Sequence, residues 1–535
     1  MALLSRVYDG DIMVAVQRLC IFEDCKTFVD MPITTSPADV VAAWDALPAA
    51  DRGDAGVVAR FVASHFDAAG GELEVCAPAD WTAELPASLV GISDDSRRKW
   101  ASDVHGLWKV LGRRVRAGAP QASSFLLPPG AAFIIPGGRF RELYYWDSLW
   151  IIRGLVVSGM LGTAEAMTRN LLGLCRAHGF VPNGARSYYL DRSQPPLLTE
   201  MVAAVVEALG ADGRAARLAR DALPDLDAEA AFWNSGPRKV QLPGGHALAR
   251  YHSSRTTPRP ESYRDDVATA AHASAEQDRA QMYCDLATAA ESGWDFSTRW
   301  MRRWAADDDA TVFFAEPRHA RLARTAATRV VPVDLNAMLL RAEMALAKLH
   351  GEFGDAAKAA GYAEAAAKRE AAISAVLWHE PSGRWRDFWL DGAQPLFDAP
   401  HASDFAPLWA GCADDWPAEA KRRVVAALAP LVSAAGLLTT TVSSGEQWDA
   451  PNCWPPLQAI AVDGLKRLGD AEADALAANI AEAYVSTAHA AFETSGAMHE
   501  KYAADGGGGG GGEYASQVGF GWSNGVALEF LAHRP

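Results

Sequence analysis

Residues 136–150 read PGGRFRELYYWDSLW. Two glycines, two arginines, a glutamate, an aspartate, two tyrosines, two tryptophans and a phenylalanine share these fifteen positions. An ordinary core helix does not carry so many polar groups, because burying them without partners is costly. Gly137-Gly138 marks a turn. Arg139 follows it, so a guanidinium fork sits where backbone can approach closely. Aromatic rings then alternate with carboxylates. Rings stack on the C–H faces of a sugar, and forked Arg, Asp and Glu groups grip its hydroxyls. The stretch therefore suits a neutral, polyhydroxylated ligand. A buried loop whose charges pair with one another is the alternative.

Helical periodicity starts inside this stretch and runs outward from it. WDSLWIIRGLVVSGM begins at Trp146, and TAEAMTRNLLGLCRAHG follows after a short turn. From about Asp94 onward the chain alternates helix and loop, and twelve long helical segments can be counted. They include 275–292 and a final one at 523–534. Some, such as 355–378, are polar along a whole face, and others, such as 454–468, are more apolar. That alternation predicts an all-α double ring of six inner and six outer helices. Residues 1–90 mix short helices and loops and are expected to form a cap segment packed on a main domain of residues 91–535. Strand signals are few: one near Val240, and RWRDFWLDG from Arg384, which reads as a hairpin.

Fifty basic against 66 acidic residues leave a net charge of −16. Such a surface disfavours nucleic acid and anionic membranes as partners. Half the residues are hydrophobic, enough for a large core, and eighteen tryptophans suit either sugar stacking or that core. Seven scattered cysteines form no CxxC pair, and thirteen histidines show no HExxH spacing, so no metal site is expected. No uncharged run is long enough to span a bilayer. Reduced thiols and the lack of a signal-like N-terminus predict a cytoplasmic protein, or a periplasmic or secreted one if a leader has been removed.

Polar, aromatic motifs fall between the helices, where a rigid scaffold presents functional loops. VPNGARSYYLDRSQPP (181–196) and PRPESYRDD (258–266) offer forked and amide groups, or else are solvated surface loops. In ESGWDFSTRW (291–300), Asp295 lies between Trp294 and Phe296. A carboxyl among aromatics stays protonated near neutrality, as a general acid requires. Capping a helix that starts at Phe296 is the other reading. GEQWDAPNCWPPLQ (445–458) brings Gln447, Trp448 and Asp449. GAMHEKYAADGGGGGGGEY (496–514) brings Glu500, seven consecutive glycines and Glu513. The glycines cannot sit inside a stable helix or strand. A lid, a close backbone approach or a linker are the three options for them. His499 is read as a packing or solvent-facing residue.

Together these motifs, from CKTFVDMP (25–32) to GFGWSNGV (519–526), resemble the trehalase family, glycoside hydrolase family 37. The resemblance covers almost the whole chain. It implies an (α/α)6 barrel, a toroid of six helical hairpins, and hydrolysis of α,α-trehalose with inversion. It implies Asp295 as general acid and Glu500 as general base. The ligand-binding positions it implies are Arg139, Trp146, Asp147, Asn183, Arg192, Ser193, Gln194, Arg259, Pro260, Glu261 and Gly293. Phe140, Trp448 and Glu513 extend the wall and lid. Trehalose and water are the expected partners of a monomer that needs no cofactor. Leu149, Ala185, Cys453 and His499 depart from the family pattern, and bear on the shape of the leaving-glucose subsite. An (α/α)6 glycosidase for another α-glucoside and a non-catalytic sugar sensor are the competing functions. A sensor would not need both Asp295 and Glu500.

Overall fold

The computed structural model describes residues 2–117, 123–273, 276–303 and 310–533. Six helices form a closed inner ring, each against the next: Asp147–Val157, Leu198–Leu209, Val333–Phe353, Ala406–Trp409, Pro455–Arg467 and Gly521–Ala532. The last of them packs back on the first. Asp95–Leu111, Leu161–His178, Gly213–Trp233, Ala356–Ala372, Ala418–Leu428 and Ala471–Ser495 lie outside them. The architecture is an (α/α)6 barrel.

Burial separates the two rings as the residue patterns require. Pro455–Arg467 is buried over ten of its residues, whereas Ala356–Ala372 buries only Ala366, Arg369 and Ala372. A helix exposed along most of its surface needs help at its ends. Asp355 provides it, accepting from the amides of Ala357 and Lys358. Ring closure depends on glycine. A Cβ on Gly525 would come within 2.1 Å of the Trp150 carbonyl oxygen, and one on Gly154 within 2.4 Å of Gly525. Arg153 then ties three inner helices together, 2.9 Å from Asp463 and 2.5 Å from Glu529.

The ring differs from the sequence expectation in membership. Glu276–Glu291 stands outside it, on an excursion between Trp233 and Val333. Its place is taken by Ala406–Trp409, extended by a 3-10 turn over Ala402–Phe405. Two turns are too short for helical periodicity to register. The hairpin expected near Arg384 does form, but with Arg384–Trp385 as its second strand rather than its first. Arg384–Trp385 pairs with Trp378–His379, and Phe388–Trp389 pairs with Val330–Val331. The strand signal near Val240 does give a hairpin, Lys239–Gln241 with Ala247–Ala249.

Near the N-terminus, short helices from Ala2–Tyr8 to Ala55–His65 enclose a cluster of their own around Phe28, Trp44 and Phe61. Tyr144, Tyr188, Tyr189 and Tyr263, from loops of the ring, complete it. Buried charges stitch the same junction: Lys26 lies 2.6 Å from Asp30 and 2.7 Å from Glu142. The strand Leu73–Val75 joins Gly112–Val115 and Ala132–Ile134 in one sheet. No helix among the described residues is long and apolar enough to cross a membrane.

Candidate active site

A cavity lined by aromatic, arginine and carboxylate side chains opens at one mouth of the inner ring, the kind of concave site that takes small molecules. Asp147 and Trp522 reach it from the first turns of their helices, and Gln194 and Trp454 from just ahead of theirs. The 234–332 excursion supplies Arg259, Glu261, Gly293 and Asp295, and the segment before the last helix supplies Glu500 and Glu513. Loops distant in sequence thus meet at one end of the barrel.

Asp295 follows a turn that only glycine suits. Gly293 has φ +77°, and a Cβ there would stand 2.9 Å from the Trp146 ring. The cap reading of Asp295 is not realised. Ser297 caps the Thr298–Trp300 turn, and Asp449 accepts from Ser297 Oγ and Thr298 N. The Asp295 side chain keeps 28% of its exposure and lines the cavity. Burial pushes its carboxyl up to about 7; the Arg259 guanidinium, 3.8 Å away, pulls it down, and Glu513 pushes it up again.

Glu500 is almost fully buried, and its surroundings are cationic or donating. Tyr514 Oη donates to Oε1 at 2.8 Å, and Lys501 Nζ lies 3.3 Å from Oε2. Lys501 is itself buried. Its ammonium reaches Gln447 Oε1 and faces the Trp454 ring at 4.8 Å. Asp147 shares the wall. Burial, with the Glu500 carboxylate adding to it and a backbone hydrogen bond opposing it, raises its carboxyl well above the ordinary range.

The three arginines arrive on three separate loops. Arg192 pairs with Glu261 and, at 3.1 Å, with Asp191. Burial would raise the Glu261 carboxyl, but Arg192 and Arg259 outweigh it and bring it below the usual value. Arg259 meets Asp266 at 2.7 Å and Glu513 at 3.0 Å. Arg139 is held by Asp24. Forks bound at two ends cannot be copied by an ammonium point charge. Replacing Arg192 or Arg259 by Lys is expected to lower kcat/KM at least about tenfold. Near-normal kinetics for both variants would show that these loops do not serve the site.

Aromatic rings form the rest of the wall. Trp448 and Trp454 stack at 3.8 Å between ring centroids, and Trp294, which does not line the cavity, stacks on Trp448 at 5.4 Å. Trp146 and Trp522 meet edge to face at 5.6 Å. Their polar edges are satisfied: Trp454 Nε1 donates to the Gln447 carbonyl, and Trp522 Nε1 to that of Glu500. Asn183, Phe140 and Gln194 also line the cavity.

Of the expected site residues, Ser193 and Pro260 stand outside this wall. Ser193 turns its hydroxyl to the Val181 carbonyl, and the Pro260 carbonyl accepts from Gln17. The residues that depart from the family pattern, Leu149, Ala185, Cys453 and His499, do not line it either. Lining residues that sequence reasoning did not single out include Tyr144, Tyr189, Ser262, Trp454, Tyr514, Phe520 and Trp522. Each lies inside or beside a motif already quoted, so aromatic content within the motifs was the available signal. Among the described residues, no group of three His, Cys, Asp or Glu side chains is placed to hold a metal ion.

The glycine run packs on the 445–452 loop. Gly512 N donates to the Gly445 carbonyl, and Asn452 Nδ2 to that of Gly510. A Cβ on Gly511 would come within 2.5 Å of the Gly445 carbonyl oxygen, and one on Gly509 within 2.4 Å of Asn452 Oδ1. Close backbone approach is therefore one reason for glycine here. The run delivers Glu513 and Tyr514 to the cavity. Proline at both Gly508 and Gly509, which removes the Gly509 N bond to the Lys501 carbonyl and crowds Asn452, is expected to damage kcat and KM together. Full activity of that double variant would reduce the run to a linker.

The sequence profile described as Trehalase matches residues 20–534. The chain is 38% identical to the trehalase of Oryctolagus cuniculus, over 98% of this chain and 89% of that one. It is 37% identical to the trehalase of Arabidopsis thaliana, over 95% and 82% of the two chains. Among solved structures it is similar to neutral trehalase Nth1 from Saccharomyces cerevisiae. The TM-score is 0.60 with 26% identity, covering 76% of this chain and 74% of the other. An (α/α)6 ring, a cavity walled by tryptophan, arginine and carboxylate, and a family match along almost the entire sequence agree: the chain belongs to the trehalase family of glycoside hydrolases.

Proposed function

We propose that the protein hydrolyses α,α-trehalose to two glucoses, with inversion at one anomeric carbon. The observation that carries this is the contrast between two carboxyls that line one cavity. Asp295 sits where burial pushes its carboxyl up to about 7. Glu500 sits against the Lys501 ammonium and the Tyr514 hydroxyl. A carboxyl pushed up toward neutrality suits the acid, and one held by an ammonium and a hydroxyl suits the base. In the proposed step, Asp295 gives its proton to the oxygen joining the two sugars as the C1–O bond breaks. Glu500 takes a proton from water, and the water oxygen bonds to C1 from the opposite face. Solvent then returns the proton to Asp295 and removes it from Glu500.

The remaining residues bind and orient. The plates of Trp146, Trp448, Trp454 and Trp522 suit the C–H faces of two pyranoses. Arg139, Arg192, Arg259, Asn183, Gln194, Asp147, Glu261 and Glu513 supply donors and acceptors for hydroxyls. Residues 1–90 serve as a cap on the barrel of residues 91–535, and the protein works as a monomer. No cofactor is required, since protonating the leaving oxygen and activating water need only carboxyls.

The experiment is NMR of the first products formed from trehalose, with maltose and kojibiose as controls. Inversion predicts one α- and one β-glucose per trehalose, and little release from either control. It also requires the two carboxyls to stand about 6.5–9.5 Å apart, leaving room for the water. α-Glucose as the sole initial product would mean retention. Faster cleavage of a control would mean a different α-glucosidase.

A further inference from the structure

Asp24 lies in the N-terminal segment, more than a hundred residues from any group named in the mechanism. Its carboxylate accepts from Arg139 Nε at 2.9 Å and Nη2 at 2.8 Å. It also accepts from Lys26 N, capping the helix Cys25–Val29. A carboxylate taking two parallel guanidinium bonds fixes the plane of that guanidinium as well as its position. The Arg139 plane thus fixed lies 4.7 Å from the centre of the Tyr514 ring, within cation–π range. Phe140 meets the same ring edge-on at 5.3 Å. Tyr514 in turn donates its hydroxyl to Glu500 Oε1 at 2.8 Å.

A second path runs through the backbone. Arg139 N donates to Gln517 Oε1 at 2.8 Å, and Gln517 N to Glu500 Oε2 at 3.5 Å. Tyr514 needs external support. It follows Glu513 directly after the glycine run, and glycines offer no side chains to fix a neighbouring ring. Its hydroxyl remains a donor throughout. Burial, then the Glu500 and Asp295 carboxylates, hold its pKa well above the ordinary phenol value.

We propose that Asp24 and Tyr514 are positioning residues for Glu500: Asp24 pins Arg139, Arg139 plates the Tyr514 ring, and the Tyr514 hydroxyl aims the Glu500 carboxylate at the attacking water. This rests on Glu500 being the base. It gives the N-terminal segment a part in the chemical step. Asp24 does not line the cavity. A loss of kcat on changing it therefore does not come from its own contact with sugar.

The test uses Tyr514→Phe, Asp24→Asn, their double variant and Glu500→Gln in the full chain. It combines steady-state kinetics on trehalose with thermal melting. Tyr514→Phe is expected to lower kcat roughly tenfold or more, the scale of a lost hydrogen bond to a charged group, with KM within about threefold. Asp24→Asn is expected to lower kcat roughly fivefold, and Asp24→Glu to recover part of that. The double variant should fall no more than about twofold below Tyr514→Phe, because both changes act on one contact. Losses that multiply in the double variant, or wild-type kcat in Tyr514→Phe, would overturn the proposal. If Glu500→Gln is dead while Tyr514→Phe is fully active, only the positioning claim falls. If Glu500→Gln itself splits trehalose, the assignment of the base falls with it.

Discussion

Asp295→Asn is expected to lower kcat/KM for trehalose by about 10²–10⁴-fold, the usual worth of a positioned proton donor. Asn keeps the shape and the neighbours of the side chain but has no acidic proton to give. The effect has a pH signature. A general acid works only while protonated, and burial pushes the Asp295 carboxyl up to about 7. In the wild type, kcat/KM should therefore fall about tenfold per pH unit above that value. The limb should vanish in Asp295→Asn, since no proton remains to be lost. Folding stability should change little, because the substitution removes a group whose ionised form is disfavoured by burial. A variant retaining most of its activity, or keeping the same alkaline limb, would move the acid to another residue. Asp147 would be the first to examine, since burial raises its carboxyl well above the ordinary range in the same cavity.

Glu500→Gln is expected to cost about as much activity, again about 10²–10⁴-fold, for a different reason. The amide still accepts from Tyr514 but takes no proton from water. Here stability should fall too. Lys501 is fully buried and 3.3 Å from the Glu500 carboxylate, so the change strands an ammonium inside the protein. Removing one member of a buried ion pair costs up to about 3–5 kcal/mol. The Gln447 side-chain oxygen Oε1, also 3.3 Å from Lys501 Nζ, offsets part of it. Denaturant titration of the two variants checks this contrast. Glu500→Gln should unfold at lower denaturant and Asp295→Asn near the wild-type midpoint. Equal midpoints would mean that Lys501 does not depend on Glu500 for its charge balance.

Several features were legible before any coordinates. Residue composition within short motifs identified the cavity wall: Trp146 and Asp147 in one stretch, Asn183, Arg192 and Gln194 in another, Asp295 after the Ser292-Gly293 turn. Local composition suffices there, because a sugar site needs rings, forks and carboxylates close together along loops. Helical periodicity showed the outer helices best, since half of each faces water and the alternation is written into the residues. It failed for Ala406–Trp409, which is too short to display a period, and miscounted Glu276–Glu291 as part of the ring.

By itself, then, the chain determined which residue types crowd into each loop and which helices face solvent, because both follow from neighbours within a few positions. Only the tertiary structure decided which of those loops meet. Asp24 grips Arg139 across 115 residues, and Trp448 stacks on Trp294 from a different segment. Asp449, not Asp295, caps the turn at Thr298. Lys501 ends up buried beside Glu500. No local spacing encodes such contacts. They depend on how the closed ring of inner helices places its loops at a single mouth, and that closure in turn depends on the backbone approach of Gly154 and Gly525. Charge state followed the same division: the sequence named Asp295 as a carboxyl among aromatics, and burial in the folded chain, with Arg259 and Glu513 beside it, pushes that carboxyl up to about 7.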